Sequence, residues 1–131
     1  TAQVIDQLME YEFPSKIQPI AGDFLKEIPP ADAYLFKGVL HDFNDELMGE
    51  ILKNCHKRMP SSATLLIAEQ VLPVTNDPHP NKTMDIVMLT LLAGRQRTLA
   101  EWQKCIEPFG FRFSNQFPTS SLFTLMEFER I

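Results

Sequence analysis

Three polar side chains at the ends of apolar runs could together carry out acid–base chemistry. His41 and Asp42 follow a short apolar run, and Glu69 directly follows the apolar run 64–68 of this 131-residue chain. Histidine is the side chain whose ordinary pKa lies nearest neutrality, so His41 suits the role of a general base. The alternative interpretation is that His41 is a satisfied loop or capping residue.

A histidine base needs a hydrogen-bond acceptor for its second ring nitrogen, which fixes the tautomer and stabilises the cation. Glu69, Asp85 and Gln96 could each supply that acceptor from a different loop. His56 lies instead in a basic helix end, where the helix dipole accounts for it, and His79 lies in a proline-rich loop. No two histidines have the spacing of metal ligands, so the sequence predicts no protein-bound metal.

Other charged residues also have both a structural and a functional interpretation. Asp23 follows a glycine, and it could form a side-chain turn or cap, or accept a hydrogen bond from a ligand amine or hydroxyl. Lys37 interrupts an apolar stretch, and its amine could reach water or contact a ligand. Arg95 and Arg97, which flank Gln96, are typical of a solvated turn.

Five apolar runs have the character of strands. The sequence predicts strands at 16–21, at 33–36 with a continuation at 39–40, at 64–68, at 111–117 and at 122–128. The run at 64–68 is continuously apolar, as in strands that are buried on both faces.

Helical patterns separate these runs. Asn44 is a suitable cap for a helix that ends before Pro60 and whose apolar face is formed by Leu47, Ile51, Leu52 and Cys55. Thr98 with Glu101 predicts a capping box at the start of a helix that Gly110 closes. The remaining predicted segments are a short helix that is marked by the apolar residues at 4–8 and ends before Pro14, a loop at 71–82 and a helix at 83–92.

Met84 and Met88 lie on one face of the predicted helix 83–92. They are either core residues or the wall of an apolar ligand pocket. The alternation of strands and helices predicts an α/β fold with a parallel sheet. Ligands of such sheets bind beyond the carboxyl ends of the strands, where Asp23, Lys37 and Glu69 stand.

Composition narrows the class of protein. Hydrophobic residues make up 44% of the chain and charged residues 22%, as in one ordinary globular domain and unlike a disordered chain. No apolar run approaches the roughly 20 residues that a membrane span needs. The net charge of −5 lacks the basic character expected of a nucleic-acid module.

Two cysteines, Cys55 and Cys105, are too few for a disulfide framework, so we expect buried thiols in a reducing, cytoplasmic setting. The chain opens on Thr1 without the basic and apolar regions of a signal peptide. Because it does not open on methionine, we expect the true beginning to lie upstream.

Several motifs at ordered spacing resemble one enzyme family. They are Gly22-Asp23-Phe24, 30–37, Val39-Leu40-His41-Asp42-Phe43, 52–55, Leu66-Ile67-Ala68-Glu69, Leu72-Pro73, 94–98, Glu101-Trp102 and 109–111. Together they resemble the S-adenosylmethionine-dependent O-methyltransferases of the plant caffeate and hydroxyindole type. The resemblance covers residues 17–131 and implies the C-terminal portion of a Rossmann-like class I methyltransferase catalytic domain.

The resemblance implies roles for individual residues. The cofactor, S-adenosylmethionine (SAM), would contact Asp23 and Phe24 at its adenine, with Lys37 and Phe43 on the cofactor side of the pocket. The general base would be His41, with Asp42 as its neighbour and with Glu69 and Gln96 at the positions that orient it. The acceptor pocket would be walled by Met84, Asp85 and Met88.

Two residues depart from the family pattern. Gln96 stands where many relatives have a second glutamate beside the histidine, so it brings no negative charge to the imidazolium. Phe43 stands where tryptophan is usual, which leaves a smaller surface to stack on adenine.

The resemblance also implies that parts of the family's fold are missing from this chain: the first two strands, the glycine-rich loop and the N-terminal domain that forms a homodimer. Those two strands would lie between the strand ending at Ala21 and the strand at Tyr34. We therefore expect a gap with unpaired backbone on both sides, and no stable monomer of these residues alone.

The resemblance thus implies methyl transfer from SAM to a hydroxyl of a small aromatic or polyketide-like acceptor, without a metal. The alternative is a methyltransferase-like domain that binds a small molecule or a partner without transfer. Relatives that use the same fold and cofactor for other chemistry are a third interpretation.

Overall fold

The computed structural model describes residues 16–91 and 94–131. In these ranges a four-stranded sheet is flanked by three helices. The elements are β1 (Ala33–Lys37), α1 (Asp45–Arg58), β2 (Thr64–Glu69), α2 (Pro80–Leu91), α3 (Leu99–Ile106), β3 (Phe111–Pro118) and β4 (Thr124–Arg130), with short 3-10 helices at Leu40–Asp42 and Glu107–Phe109. The predicted helix at 4–8 lies outside the described residues.

The sheet has the order β1-β2-β4-β3. Only β1 and β2 are parallel, with Lys37 opposite Ala68, whereas β4 runs antiparallel to both β2 and β3. The prediction of an α/β fold is confirmed, and the prediction of parallel strands holds for β1 and β2 but is wrong for β3 and β4. The connection between β3 and β4 is too short for a parallel crossover, so these two strands form a hairpin.

The predicted strand at 16–21 is wrong for the residues that the structure describes. Residues 17–23 have no regular secondary structure, and a turn follows at 24–26. Pro19 removes one of the backbone donors that a ladder would use, and β1 pairs only with β2. The expected gap between two strands is therefore wrong in its geometry, since in the described ranges no strand at 16–21 faces the open edge of β1.

Helix α1 begins and ends where the sequence predicts. The Asn44 side chain accepts a hydrogen bond from Leu47 N at 2.9 Å, and the helix ends before Pro60. The prediction that Leu47 lies on the apolar face is wrong, since that side chain is exposed and the buried positions include Met48. The backbone of Leu47 belongs to the cap, and its side chain turns away from the core.

Helices α2 and α3 begin at recognisable sequence signals. Helix α2 starts at Pro80, inside the predicted loop 71–82, because proline at a first helical turn loses no helical hydrogen bond. The predicted capping box at Thr98 and Glu101 is confirmed in both directions. Gly110 closes the segment after α3 in the left-handed conformation, with φ of 86°.

The core lies between α1, α3 and the sheet. Trp102 of α3 is fully buried, as are Ile51 of α1, Ile67 of β2 and Phe128 of β4. Cys55 is also part of this core, and burial raises the pKa of its thiol to about 12. The two cysteines are free thiols, but the prediction that both are buried holds only for Cys55, since Cys105 is half-buried.

Candidate active site

The parallel pair β1 and β2 places the turn after β1 beside the end of β2. Gly38 N donates to Ala68 O at 3.0 Å, and Gly38 has φ of 60°, a conformation that a residue with a side chain rarely adopts. The chain therefore turns sharply out of β1 into the 3-10 helix Leu40–Asp42. This turn brings His41 next to Glu69, the last residue of β2.

Glu69 holds this turn with one carboxylate oxygen. Its Oε1 accepts hydrogen bonds from Leu40 N at 2.9 Å, Val39 N at 3.1 Å and His41 N at 3.4 Å. The Glu69 side chain is fully buried. These donors satisfy a carboxylate that would otherwise be costly to bury.

The second oxygen of Glu69 contacts the imidazole ring. Glu69 Oε2 lies 2.6 Å from His41 Nδ1, so the ring donates its Nδ1 proton to the carboxylate and keeps Nε2 as the basic nitrogen. The His41 side chain is 12% exposed, whereas that of Glu69 is 0% exposed. Of the three acceptors that the sequence offered, Glu69 occupies this position.

Asp42 contacts the other ring nitrogen. Its Oδ1 lies 3.2 Å from His41 Nε2, and its side chain is 39% exposed. The hydrogen bond to Glu69 is the largest cause of a raised pKa for His41, above the ordinary value of 6.5; burial opposes this shift, and the charges of Glu69 and Asp42 add to it.

We expect Glu69→Gln to lower the pKa of His41, because the amide carries no negative charge to stabilise the imidazolium. NMR titration of the His41 Cε1 proton measures this shift without any substrate. Asp42→Asn is the matched comparison and should lower the pKa less, since Asp42 is a smaller cause. An unchanged pKa in Glu69→Gln would contradict the assignment.

The same pair makes stability depend on pH. Since folding raises the pKa of His41, its stabilising contribution is fully present below about pH 6.5 and is lost as the pH rises through the folded-state pKa. The Glu69→Gln variant should lose that pH dependence in urea unfolding experiments.

The segment 94–97 packs on the far side of the His41 turn. Arg95 N donates to His41 O at 3.0 Å. Gly94 lies against the same turn so closely that an added Cβ would overlap His41 O and lie 3.0 Å from Asp42 Cα. The turn that carries the imidazole is thus held from one side by Glu69 and from the other by this segment.

Arg97 is a buried residue beside the candidate site whose contacts the sequence analysis did not predict. The prediction of a solvated turn fits the half-exposed Arg95 but is wrong for Arg97, whose side chain is fully buried. Its guanidinium donates to Asp45 Oδ1 at 2.6 Å and to Phe43 O at 3.1 Å, and it lies 4.9 Å above the Trp102 ring. Arg97 also holds the pKa of the Asp45 carboxyl below its usual range.

Gln96 is buried between these contacts. Its backbone N–H donates to Asp85 Oδ1 of α2 at 2.7 Å, and the residue is 2% exposed. Neither polar atom of its side-chain amide has a hydrogen-bond partner in the described ranges. The Asp85 carboxylate therefore binds the 94–97 segment, whereas the Gln96 amide is left unpaired.

Three of the four residues assigned to the cofactor by resemblance lie together. The rings of Phe24 and Phe43 pack edge to face with centroids 5.7 Å apart. The Asp23 side chain forms the turn that was one of its two interpretations, since its Oδ1 accepts a hydrogen bond from Leu25 N at 3.1 Å. Asp23 and Phe24 also line a cavity of about 420 Å³. Lys37 contacts a different group, with Nζ 4.8 Å from the Phe123 ring centroid.

The residues assigned to the acceptor lie on α2. Met88 is buried, Met84 is half-buried, and Met84 lines an open groove with His79. In the described ranges no three histidine, cysteine, aspartate or glutamate side chains are grouped as metal ligands would be. No helix among the same residues is long and apolar enough to cross a membrane.

The comparisons with known proteins agree with this arrangement. The family model of the O-methyltransferase domain matches residues 2–112. The chain belongs to this family. Phenazine O-methyltransferase PhzM of Lysobacter antibioticus is 38% identical over 109 residues, which cover 82% of this chain and 32% of that protein. The chain thus spans about a third of the length of this relative.

A second relative carries a different description. The protein named "Probable inactive O-methyltransferase 11" of Dictyostelium discoideum is 39% identical over 113 residues, covering 86% of this chain and 34% of that protein. Among solved structures, the methyltransferase CalO1 of calicheamicin biosynthesis, in its SAH-bound form, superposes with a TM-score of 0.80 and is 36% identical. That match covers 86% of this chain and 34% of CalO1. The sheet described above thus corresponds to part of a class I O-methyltransferase fold.

Proposed function

We propose that this chain is the C-terminal portion of the catalytic domain of a SAM-dependent O-methyltransferase. The acceptor is a hydroxyl of a small aromatic or polyketide-like molecule, and the general base is His41. The observation that carries the proposal is the buried hydrogen bond of 2.6 Å between His41 Nδ1 and Glu69 Oε2. It leaves Nε2 as the basic atom of the ring.

The chemistry required of the chain is modest. Bound SAM supplies an activated methyl group on a sulfonium, and transfer leaves S-adenosylhomocysteine (SAH). His41 Nε2 takes the proton of the acceptor hydroxyl, so the oxygen becomes a better nucleophile as the methyl group is transferred. Glu69 stabilises the imidazolium that forms, and its three backbone hydrogen bonds hold the carboxylate in place.

Asp42 has to release His41 Nε2 before an acceptor can use it. Its Oδ1 lies 3.2 Å from that nitrogen. Because the Asp42 side chain is 39% exposed, it can rotate away without leaving a buried charge unpaired. The acceptor hydroxyl then takes the position that the carboxylate had held.

The residues near the cavity of about 420 Å³ are compatible with the adenine of SAM. Aromatic rings bind a purine by stacking or by edge contacts, and Phe24 and Phe43 offer both. Asp23 offers a half-exposed carboxylate that could accept from an exocyclic amine. The homodimer implied by the resemblance is part of the same proposal, since the family forms it through a domain outside these residues.

A second candidate function is binding without methyl transfer. One observation favours it: the Gln96 amide is buried and unpaired where a second carboxylate would support the imidazolium. The 39% identical relative described as probably lacking activity is consistent with such a loss. Methyl transfer and binding without transfer can be separated by an experiment with labelled SAM, since only methyl transfer labels an acceptor.

The test uses the longest polypeptide that the gene encodes, beside the 131-residue chain itself. Calorimetry with SAH measures cofactor binding, and labelled SAM with a panel of phenols measures transfer. We expect the longest polypeptide to bind SAH and to label at least one phenol. Binding of SAH without labelling would favour the second function, and the absence of SAH binding would contradict the proposal.

A further inference from the structure

We propose that Arg97 is a positioning residue: it joins the turn that carries His41 to the segment that follows Glu69, and so keeps the imidazole against the carboxylate. This inference rests on the proposed function, because His41 is the base of that reaction. Among the residues that the structure describes, the Arg97 guanidinium donates to groups other than His41 and Glu69, so it acts through the backbone that carries them.

The first observation is that the guanidinium holds the end of the His41 turn. Arg97 Nη2 donates to Phe43 O at 3.1 Å and to Asp45 Oδ1 at 2.6 Å. Phe43 follows directly after the 3-10 helix Leu40–Asp42, and Asp45 is the first residue of α1. One nitrogen therefore fixes the junction between the turn and α1, close to the residue that carries the imidazole.

The second observation is that the backbone of Arg97 holds the chain after β2. Leu72 N donates to Arg97 O at 2.9 Å, and the neighbouring Thr98 forms a parallel bridge with Leu72. Leu72 lies a short distance along the chain after Glu69, the last residue of β2. Arg97 therefore contacts both segments whose separation sets the distance between the imidazole and the carboxylate, one with its side chain and the other with its backbone.

The third observation is that the guanidinium is itself held in place. The Arg97 side chain is fully buried, and the guanidinium lies 4.9 Å from the centre of the buried Trp102 ring. A planar guanidinium can bind a carbonyl and a carboxylate in one rigid geometry, whereas a lysine amine is a point charge on a flexible stem. The guanidinium therefore ties the His41 turn to the core at α3.

The contact that Arg97 preserves also determines the protonation of the imidazole. The 2.6 Å hydrogen bond from His41 Nδ1 to Glu69 Oε2 is the largest cause of the raised pKa of His41. The charges that act on this pKa are those of Glu69 and Asp42, which raise it, and that of Arg97, which lowers it and is the smallest cause. Loss of the Arg97 charge alone should therefore raise the pKa of His41, whereas movement of the turn should lower it.

The test is an NMR titration of the His41 Cε1 proton in the longest polypeptide that the gene encodes. Arg97→Lys keeps the positive charge but loses the planar fork, so we expect the pKa of His41 to fall as its contact with Glu69 lengthens. Arg97→Met also removes the charge, so the pKa of His41 should fall by less than in Arg97→Lys.

Arg95→Met is the matched control for these variants. The Arg95 side chain binds the same Asp45 carboxylate, at 3.1 Å, but it is half-exposed and its hydrogen bonds in the described ranges go to Asp45 alone. The backbone N–H of residue 95 is kept in the variant. We therefore expect the pKa of His41 to be unchanged in Arg95→Met.

Asp45→Asn covers the case in which replacement of the buried guanidinium unfolds the protein. The Asp45 side chain is 56% exposed, so its amide can be accommodated, while Arg97 loses the charge that holds it. Asp45 is not one of the charges that shift the pKa of His41, so a lower pKa in this variant reports movement of the turn. An unchanged pKa in Asp45→Asn would contradict the inference.

Kinetics with saturating labelled SAM test the same displacement during the reaction. With the phenol that the wild type labels best, we expect Arg97→Lys to lower kcat about 10- to 100-fold. The acid limb of the pH–kcat profile should move to lower pH together with the pKa of His41. A purely structural role would reduce the amount of folded protein without moving this limb.

The outcomes separate this inference from the proposed function. A pKa of His41 that is unchanged or higher in Arg97→Lys, or higher in Arg97→Met, would overturn the positioning role. An equal fall in Arg95→Met would overturn it as well. If the pKa falls as expected but no phenol is labelled, the proposed function fails and the positioning role stands. If phenols are labelled but the pKa is unchanged, only the positioning role fails.

Discussion

Replacing His41 with glutamine is expected to lower kcat for methyl transfer by about 10²- to 10⁴-fold while the Kd for SAH changes little. Glutamine fills a similar volume and can still bond to Glu69, so the turn Leu40–Asp42 should keep its place. It cannot take a proton from an acceptor hydroxyl. Kinetics with labelled SAM and calorimetry with SAH separate these two effects.

The size of this loss should depend on the acidity of the acceptor. A nitrophenol is far more acidic than phenol and needs less help from a base, so His41→Gln should slow it much less than phenol. His56→Gln is the matched control, because His56 lies on α1 and contacts Ile131 O, away from Glu69. A loss of equal size with nitrophenol and phenol would remove His41 from proton transfer.

Gly94→Ala is expected to lower both stability and activity. Its Cβ would overlap His41 O and lie 3.0 Å from Asp42 Cα, so the backbone of the turn that carries His41 has to move. Overpacking of this kind costs about 1–3 kcal/mol in stability. A displacement of about 1 Å in a reacting group costs about 10²-fold in rate.

Gly49→Ala provides the comparison for Gly94→Ala. Its Cβ would lie 2.5 Å from Cζ of the Phe109 ring, a side chain outside the turn that carries His41. We expect a lower unfolding midpoint in urea for both variants, but a large loss of kcat only for Gly94→Ala. Equal kcat values in the two variants would contradict the role of Gly94.

Local signals in the sequence predicted much of the fold. The Asn44 cap and the Thr98–Glu101 capping box depend on residues within three positions of each other, and both are confirmed. Strand β2 was recognisable from its continuous apolar run. Strand direction depends on partners far along the chain, so the antiparallel pairing of β4 with β2 could not be read from local patterns.

The strand expected at 16–21 shows the same limit. Its residues are apolar enough for a strand, but a strand also needs a neighbour to pair with its backbone. In the described ranges β1 pairs with β2 alone. The composition of a segment indicates its preference for strand structure but does not show whether a neighbouring strand is present to pair with it.

The candidate site was predicted in outline. His41 and Glu69 both follow predicted strands, and parallel neighbours in a sheet end at the same edge. The sequence therefore predicted correctly that these two side chains lie close together. Arg97 was missed, since its partners Asp45 and Trp102 are not adjacent in sequence and alternating arginines usually face water. The unpaired amide of Gln96 could only be found from burial and hydrogen bonds.

The open edge of β1 has a consequence for hydrogen–deuterium exchange. Strand β2 has a neighbour on each side, whereas β1 has one among the residues that the structure describes. Amide hydrogens of β1 point alternately toward β2 and away from it, so alternate residues between Ala33 and Lys37 should exchange fast and slowly. Their exchange would report, residue by residue, whether another strand covers that edge in a longer polypeptide.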